Sequence, residues 1–235
     1  MIAIEVNNAF DKIGSLKKRR ILMLIRESFP VGPLQCNCTI VACDVTKEAV
    51  VIDPGGDAEV ILERGRSLGV RIVNIVHTHA HFDHIGATRA VHDATKAIRY
   101  LHEADLFLYN NVAKQTAAFG ISSEAPGGLE KYLTDDLEIS IGKGRFQTIH
   151  TPGHTPGSCC FHFEEIKFLS SGDTLFRDGV GRTDLWQGDF KQLEKSIRER
   201  LYTIDPATVV VAGHGASTTI GREMKTNQFV RPLRK

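Results

Sequence analysis

The sequence predicts a layered α/β protein built as one main domain. Three observations carry this reading. Short Val/Ile-rich runs recur along the chain, each is followed by a turn or helix signal, and four of them end on histidine or aspartate. The 235 residues are 42% hydrophobic and 24% charged, which supplies a core and excludes disordered, collagen-like and coiled-coil chains.

Residues 1–20 show no clear period and hold five basic against two acidic side chains, so they read as a solvated N-terminal extension ahead of a domain over 21–235. Ile21, Leu22, Met23, Leu24 and Ile25 are expected to begin the first strand. Arg26 stops this run far short of the roughly 20 apolar residues of a membrane span and short of an export signal. A cytoplasmic protein with no membrane partner is therefore expected. Residues 49–52 form a β-branched run halted by Asp53, Pro54, Gly55 and Gly56, after which Asp57 is placed to cap a helix that Gly69 terminates. A second strand, 70–76, runs directly into the stretch from His77 to His84, with helix from about Ile85. Further strands over 146–149, 166–169 and 208–212 lead to His150 and His154, to Asp173, and to His214. Residues 189–204 are the clearest helix, with Asp189 as N-cap, Gln192 as its capping-box partner, and an apolar stripe of Leu193, Ile197 and Leu201. In layered α/β proteins the loops beyond strand ends form the ligand crevice, so the four polar strand ends are expected to converge.

The formal net charge is +1, with +3 over 1–20, +4 over 215–235 and −6 in the body. That balance argues against a dedicated nucleic-acid binder, whose footprint is strongly basic. Cys36, Cys38, Cys43, Cys159 and Cys160 are odd in number and lack zinc-pair spacing, so they read as reduced, buried thiols.

Between His79 and His84 the chain places three imidazoles and the Asp83 carboxylate, all suited to zinc or another first-row cation. Residues two apart on an extended segment point the same way, so His79 and His81 can share one ion while Asp83 and His84, past a bend, turn to another. With His154, Asp173 and His214 the count is seven, which suits two metals sharing a bridging carboxylate and a water. His92, His102 and His162 read as structural, and His77 and His150 as residues that support ligands from behind. There is no Gly-x-Ser-x-Gly elbow, so a covalent serine mechanism is not expected.

In order and spacing, four segments resemble the metallo-β-lactamase superfamily over about 21–231. They are Thr78-His79-Ala80-His81-Phe82-Asp83-His84, Thr151-Pro152-Gly153-His154, Gly172-Asp173-Thr174-Leu175-Phe176 and Ala212-Gly213-His214-Gly215. With Gly181-Arg182-Thr183-Asp184, the chain is most similar to the short bacterial type of glyoxalase II-like thioester hydrolase. The resemblance implies an αβ/βα sandwich of two mixed β-sheets flanked by helices. It also implies two divalent metal ions, zinc foremost and iron or manganese as alternatives. His79, His81 and His154 would hold the first, Asp83, His84 and His214 the second, and Asp173 would bridge them. A metal-held hydroxide would attack the thioester carbonyl, and Asp83 would orient it or relay its proton. The expected partner is a small glutathione-derived thioester such as S-D-lactoylglutathione, with Arg182 first and then Arg177, Arg222 and Lys225 available to its carboxylates. A β-lactam is less expected, because true metallo-β-lactamases place a cysteine where Asp173 stands.

Two rivals share the motifs. Persulfide dioxygenases resemble the chain too, and by that likeness His79, His154 and Asp173 would hold a single iron. A nuclease of the superfamily would use the same two-metal centre, against which the acidic body argues.

Overall fold

The computed structural model describes residues 24–117, 120 and 124–232. The extension expected over 1–20, and Ile21 to Met23 of the expected first strand, lie outside the described residues.

Six strands form the first sheet in sequence order: β1 (Leu24–Val31), β2 (Cys36–Cys43), β3 (Glu48–Ile52), β4 (Arg71–Val76), β5 (Ile98–His102) and β6 (Lys131–Leu133). β1 to β3 pair antiparallel, and β3 to β6 run parallel. β1 lies at the edge, where Pro30, which cannot donate to a ladder, is tolerated. The second sheet has the order β14 (Thr218–Thr219), β13 (Val209–Ala212), β10 (Phe168–Gly172), β9 (Cys159–Phe163), β8 (Gly144–His150) and β7 (Glu138–Ile141). Only β10 and β13 pair parallel within it. A two-stranded ribbon, β11 (Leu175–Phe176) and β12 (Gly179–Val180), follows β10.

Strand alternation explains the layers. Val41, Val50, Ile52 and Val76 point inward against Phe146, Phe161, Phe163 and Phe168 of the second sheet. Ile40, Ala42, Val51 and Ile75 point outward under α1 (Ala58–Ser67) and α3 (Thr88–Thr95), meeting Ile61 and Val91. The outer face of the second sheet, with Cys160, Leu169 and Val210, is covered by α6 (Phe190–Ser196) and α7 (Ile220–Thr226). Because both faces of each sheet are covered, central strands read as nearly continuous apolar runs. The result is the expected αβ/βα sandwich. The shorter α2 (Phe82–Ile85), α4 (Leu106–Tyr109) and α5 (Val112–Ala117) pack beside the end of β4 around Ala80 and Leu101.

Local details correct two expectations. Asp57 precedes α1 but makes no side-chain cap; its backbone is left-handed (φ 49°) and its carboxylate instead accepts the Gly32 N–H at 2.8 Å. Asp189 does cap α6 through Lys191 and Gln192 N–H at 2.8 and 3.1 Å, but its own N–H donates to Gly153 O, so Gln192 closes no reciprocal box. The rod then continues as one π-type turn, Ile197–Leu201, keeping Leu193, Ile197 and Leu201 fully buried as the stripe required. All five cysteines are free and buried.

Candidate metal centre

The parallel strands carry their polar ends to one edge of the sandwich. β3 and β4 pair through Ile52 and Val76, setting Asp53 beside the 77–84 segment; β10 and β13 pair through Gly172 and Ala212, setting Asp173 beside His214. Asn37 at the start of β2 ties the sheets together, its N–H donating to Gly213 O and its side-chain amide to Ala212 O and Gly215 O. No bulkier residue than glycine fits at 213, where a Cβ would lie 2.1 Å from Asp173 Oδ1 and 2.6 Å from His84 Cε1.

All seven expected ligand residues meet there. His81 Nδ1 lies 3.0 Å from His79 Nε2 and 2.9 Å from His154 Nε2. Four ligands around a tetrahedral zinc with bonds near 2.0–2.1 Å would stand about 3.3–3.4 Å apart, so this triangle is close to ligand spacing. Beside it, His84 Nε2 lies 3.3 Å from His214 Nε2, and Asp83 Oδ2 is 3.1 Å from His214 Nε2 and 3.7 Å from His84 Nε2. Asp173 faces both groups, with Oδ2 3.5 Å from His154 Nε2 and Oδ1 3.6 Å from His84 Nε2.

Hydrogen bonds behind the rings decide which nitrogens hold lone pairs. His154 Nδ1 meets the Arg182 carbonyl at 2.7 Å and His214 Nδ1 the Leu34 carbonyl at 3.0 Å; a carbonyl only accepts, so both rings donate from Nδ1. His84 Nδ1 sits 3.0 Å from the Asp53 carboxylate. The Thr78 hydroxyl donates to Asp53 at 2.6 Å and is therefore free to accept from His79 Nδ1 at 3.0 Å. In the neutral rings the four Nε2 atoms consequently present lone pairs inward, which is how outer partners prepare imidazoles for a metal. Two lone pairs 3.3 Å apart at His84 and His214 repel unless a proton or a metal cation stands between them. Asp173 Oδ1, buried without a hydrogen-bond partner, makes the same demand.

Charge agrees with geometry. Burial, with the neighbouring imidazoles, holds His79 and His81 well below the ordinary histidine value, so both are neutral donors. Burial also opposes a charge on His214, yet Asp83 and Asp173 outweigh it and raise its pKa. Burial alone would raise the Asp83 carboxyl, but His84 and His214 hold it below the carboxylate range. His84 is raised too, against burial, by Cys36, Asp83, Asp173 and Asp53, so the carboxylate side of the cluster is a centre that attracts positive charge. The donors fall into groups of three that fit the expected pattern, His79 with His81 and His154, and Asp83 with His84 and His214, while Asp173 also groups with His79 and His84.

Other expected residues are placed differently. His77 and His150 support no ligand. His77 is braced by Tyr100 O and Thr88 Oγ1, and His150 bonds Pro156 O and stacks on His102. The ligands are supported instead by Asp53, Thr78 and two backbone carbonyls. In the sequence Asp53 is legible only as a turn residue, although a carboxylate ending a Val/Ile strand is the same signal that marks Asp173. A second buried carboxylate that the sequence does not reveal is Asp105, which clamps both ligand loops by accepting from Ala80 N–H, Thr155 Oγ1 and Gly157 N–H at 2.7–2.9 Å. Arg182 lines the cavity over the cluster but is held in a bidentate pair by Asp184 at 2.7 and 2.8 Å. Arg177 does not line that cavity, and Arg222 is engaged by Asp178 and Glu223. Residues 124–131 do not line it either; Arg99 anchors that segment through Glu130.

Known proteins share this arrangement. A profile of the metallo-beta-lactamase superfamily matches residues 31–214. The chain is 36% identical to hydroxyacylglutathione hydrolase GloC of Haemophilus influenzae, covering 87% of this chain and 97% of that protein. It is similar to the crystal structure of the BLEG-1 B3 metallo-beta-lactamase, with 38% identity, TM-score 0.83 and coverage of 88% and 99%. It is equally similar in sequence to TTHA1623 in a di-iron-bound form, at 38% identity, TM-score 0.80 and coverage of 87% and 100%. With the profile reaching from β1 to the imidazole of His214, the chain belongs to the metallo-beta-lactamase superfamily, whose members are metal-dependent hydrolases.

Proposed function

We propose that this protein is a binuclear metallohydrolase of thioesters, with S-D-lactoylglutathione as reference substrate. The observation that carries the reading is the full second donor set: Asp83, His84 and His214 face inward beside the first imidazole triangle, more ligands than one cation needs. His79, His81 and His154 would hold one divalent cation, Asp83, His84 and His214 the other, with Asp173 between them. Such cations polarise a carbonyl and lower the pKa of water toward about 7.

The chain's own residues suit a substrate with a good leaving group. Among the described residues, no serine, cysteine or lysine lines the cavity of about 220 Å³ over the cluster, so none of them offers a covalent nucleophile or an ammonium acid there. A thiol, with a pKa near 8.5, departs as thiolate without prior protonation, whereas an amine does not. Asp83 lies on the cavity wall, kept ionised by His84 and His214, and can orient a water by accepting its hydrogen bond. Arg182 offers a guanidinium at the rim once Asp184 yields it.

Support for the thioester also comes from the name of the Haemophilus relative, and support for a second reading, β-lactam opening, from the likeness to BLEG-1, a B3 metallo-beta-lactamase by name. The test is a direct comparison of thiol release from S-D-lactoylglutathione, ring opening of a chromogenic cephalosporin, and oxygen uptake with glutathione persulfide. The proposal expects kcat/KM for the thioester to exceed that for the β-lactam by at least 100-fold, with no oxygen uptake. Dominant β-lactam opening, or oxygen uptake with one iron per chain, would overturn it.

A further inference from the structure

The wall of the cavity over the metal cluster is apolar on one side. Leu34, Phe82, Leu185 and Trp186 line it together, and the Trp186 ring lies 5.6 Å from the ring of His81, tilted by 56°. Trp186 is also 40% exposed, a large apolar surface left uncovered beside the reacting groups.

Its backbone is as unusual as its exposure. Trp186 and Gln187 both have positive φ, 22° and 65°, inside a turn closed by Gly188 N–H to Leu185 O at 2.8 Å. Turns with positive φ at both central positions take asparagine and glycine, not a bulky aromatic residue. Folding alone favours neither the side chain nor its exposure here, and strained residues of this kind cluster at ligand-binding positions. The turn is also fixed relative to the metal ligands. Arg182, four residues earlier, accepts from His154, Asp189, three residues later, donates to Gly153, and Leu34 across the cavity accepts from His214. Trp186 and Leu34 are therefore held in register with the imidazoles.

At about 220 Å³ the cavity falls below the roughly 300–1,000 Å³ that encloses a drug-sized ligand, so it takes the reacting carbonyl and one substituent. Arg182, the one cation among the described residues that line the cavity, is paired with Asp184 at the rim, so the anionic part of a glutathione ester is placed at the rim, outside the cavity. We infer that Trp186, with Leu34, Phe82 and Leu185, forms an acyl-group site that selects thioesters bearing an apolar, preferably aromatic, substituent on the acyl side. This inference rests on the thioester reading above and names its substrate class.

S-mandeloylglutathione and S-D-lactoylglutathione isolate the effect, because they differ only by phenyl for methyl. Trp186 is the sole tryptophan, so its fluorescence reports binding independently of turnover. On protein carrying its purified metals, mandelate should quench Trp186 with a Kd at least tenfold below that of lactate, about 1.4 kcal/mol. The mandeloyl ester should be hydrolysed with at least tenfold higher kcat/KM than the lactoyl ester. Trp186→Phe should keep that preference, and Trp186→Gly should reduce it to under twofold while its Tm stays level or rises, as glycine relieves the turn. Equal binding of mandelate and lactate, or a Trp186→Gly variant that keeps the preference or loses both substrates alike, would overturn the inference. Selective quenching by mandelate with no hydrolysis of either ester would uphold the acyl site and refute the thioester reading.

Discussion

At the scale of single residues, the centre depends on groups that never face the cavity. Asp53 accepts from Thr78 N–H, the Thr78 hydroxyl and His84 Nδ1, so one carboxylate orients imidazoles of both donor groups. Outer partners of this kind are worth about 10–100-fold in metal affinity. Asp53→Ala is expected to weaken metal binding by that amount in competition with a chromogenic chelator; an unchanged affinity would show that the rings are held by packing alone. Asp105 accepts three hydrogen bonds while fully buried, and burial pushes its carboxyl up against the pull of those donors. Asp105→Ala would leave the Ala80 and Gly157 N–H groups and the Thr155 hydroxyl unsatisfied, at about 1–3 kcal/mol each. Thermal unfolding of metal-free protein should record a loss of several kcal/mol.

At the scale of elements, the helices hold the ligand loops as much as they cover the sheets. α6 packs so closely on the His154 loop that a Cβ at Gly153, whose φ is 142°, would come within 2.3 Å of Leu193 N. Leu193→Ala is expected to cost about 2–5 kcal/mol, read by denaturant unfolding, and to raise the mobility of the His154 loop. The α6 stripe was legible in the sequence because Leu193, Ile197 and Leu201 repeat with helical spacing and the cap at Asp189 is local. The converging strand ends were legible for a similar reason: histidine and aspartate stood directly after Val/Ile runs. What could not be read was settled by contacts between distant segments. Asp57 looked like a cap, but Gly32, 25 residues away, takes its carboxylate. His77 and Asp53 both follow buried strands, and only the pairing of β4 with β5 and of β3 with β4 shows that the first braces Tyr100 while the second orients Thr78 and the His84 imidazole. Trp186 carried no signal at all, since its meaning lies in a turn conformation and in Leu34 across the cavity.

At the scale of the whole molecule, two covered sheets leave one open edge, and the chemistry is gathered there. Acid should weaken the fold as well as the centre. Burial and the stacked His150 lower His102 to about 4, and burial lowers His162 too. The unfolded chain binds these protons near pH 6.5 while the folded one does not, so their contribution is intact above 6.5 and is lost as pH falls toward about 4. In metal-free protein, the Tm of His102→Gln relative to wild type should therefore rise between pH 7.5 and pH 5; an unchanged difference would refute the assignment.

The central claim is that seven side chains form a two-cation centre, and elemental analysis of protein purified without added metal tests it most directly. Wild-type protein should carry close to two first-row metals per chain. His214→Ala should carry close to one and lose at least 100-fold in thioester hydrolysis. A single iron per chain, unchanged in His214→Ala, would contradict the account.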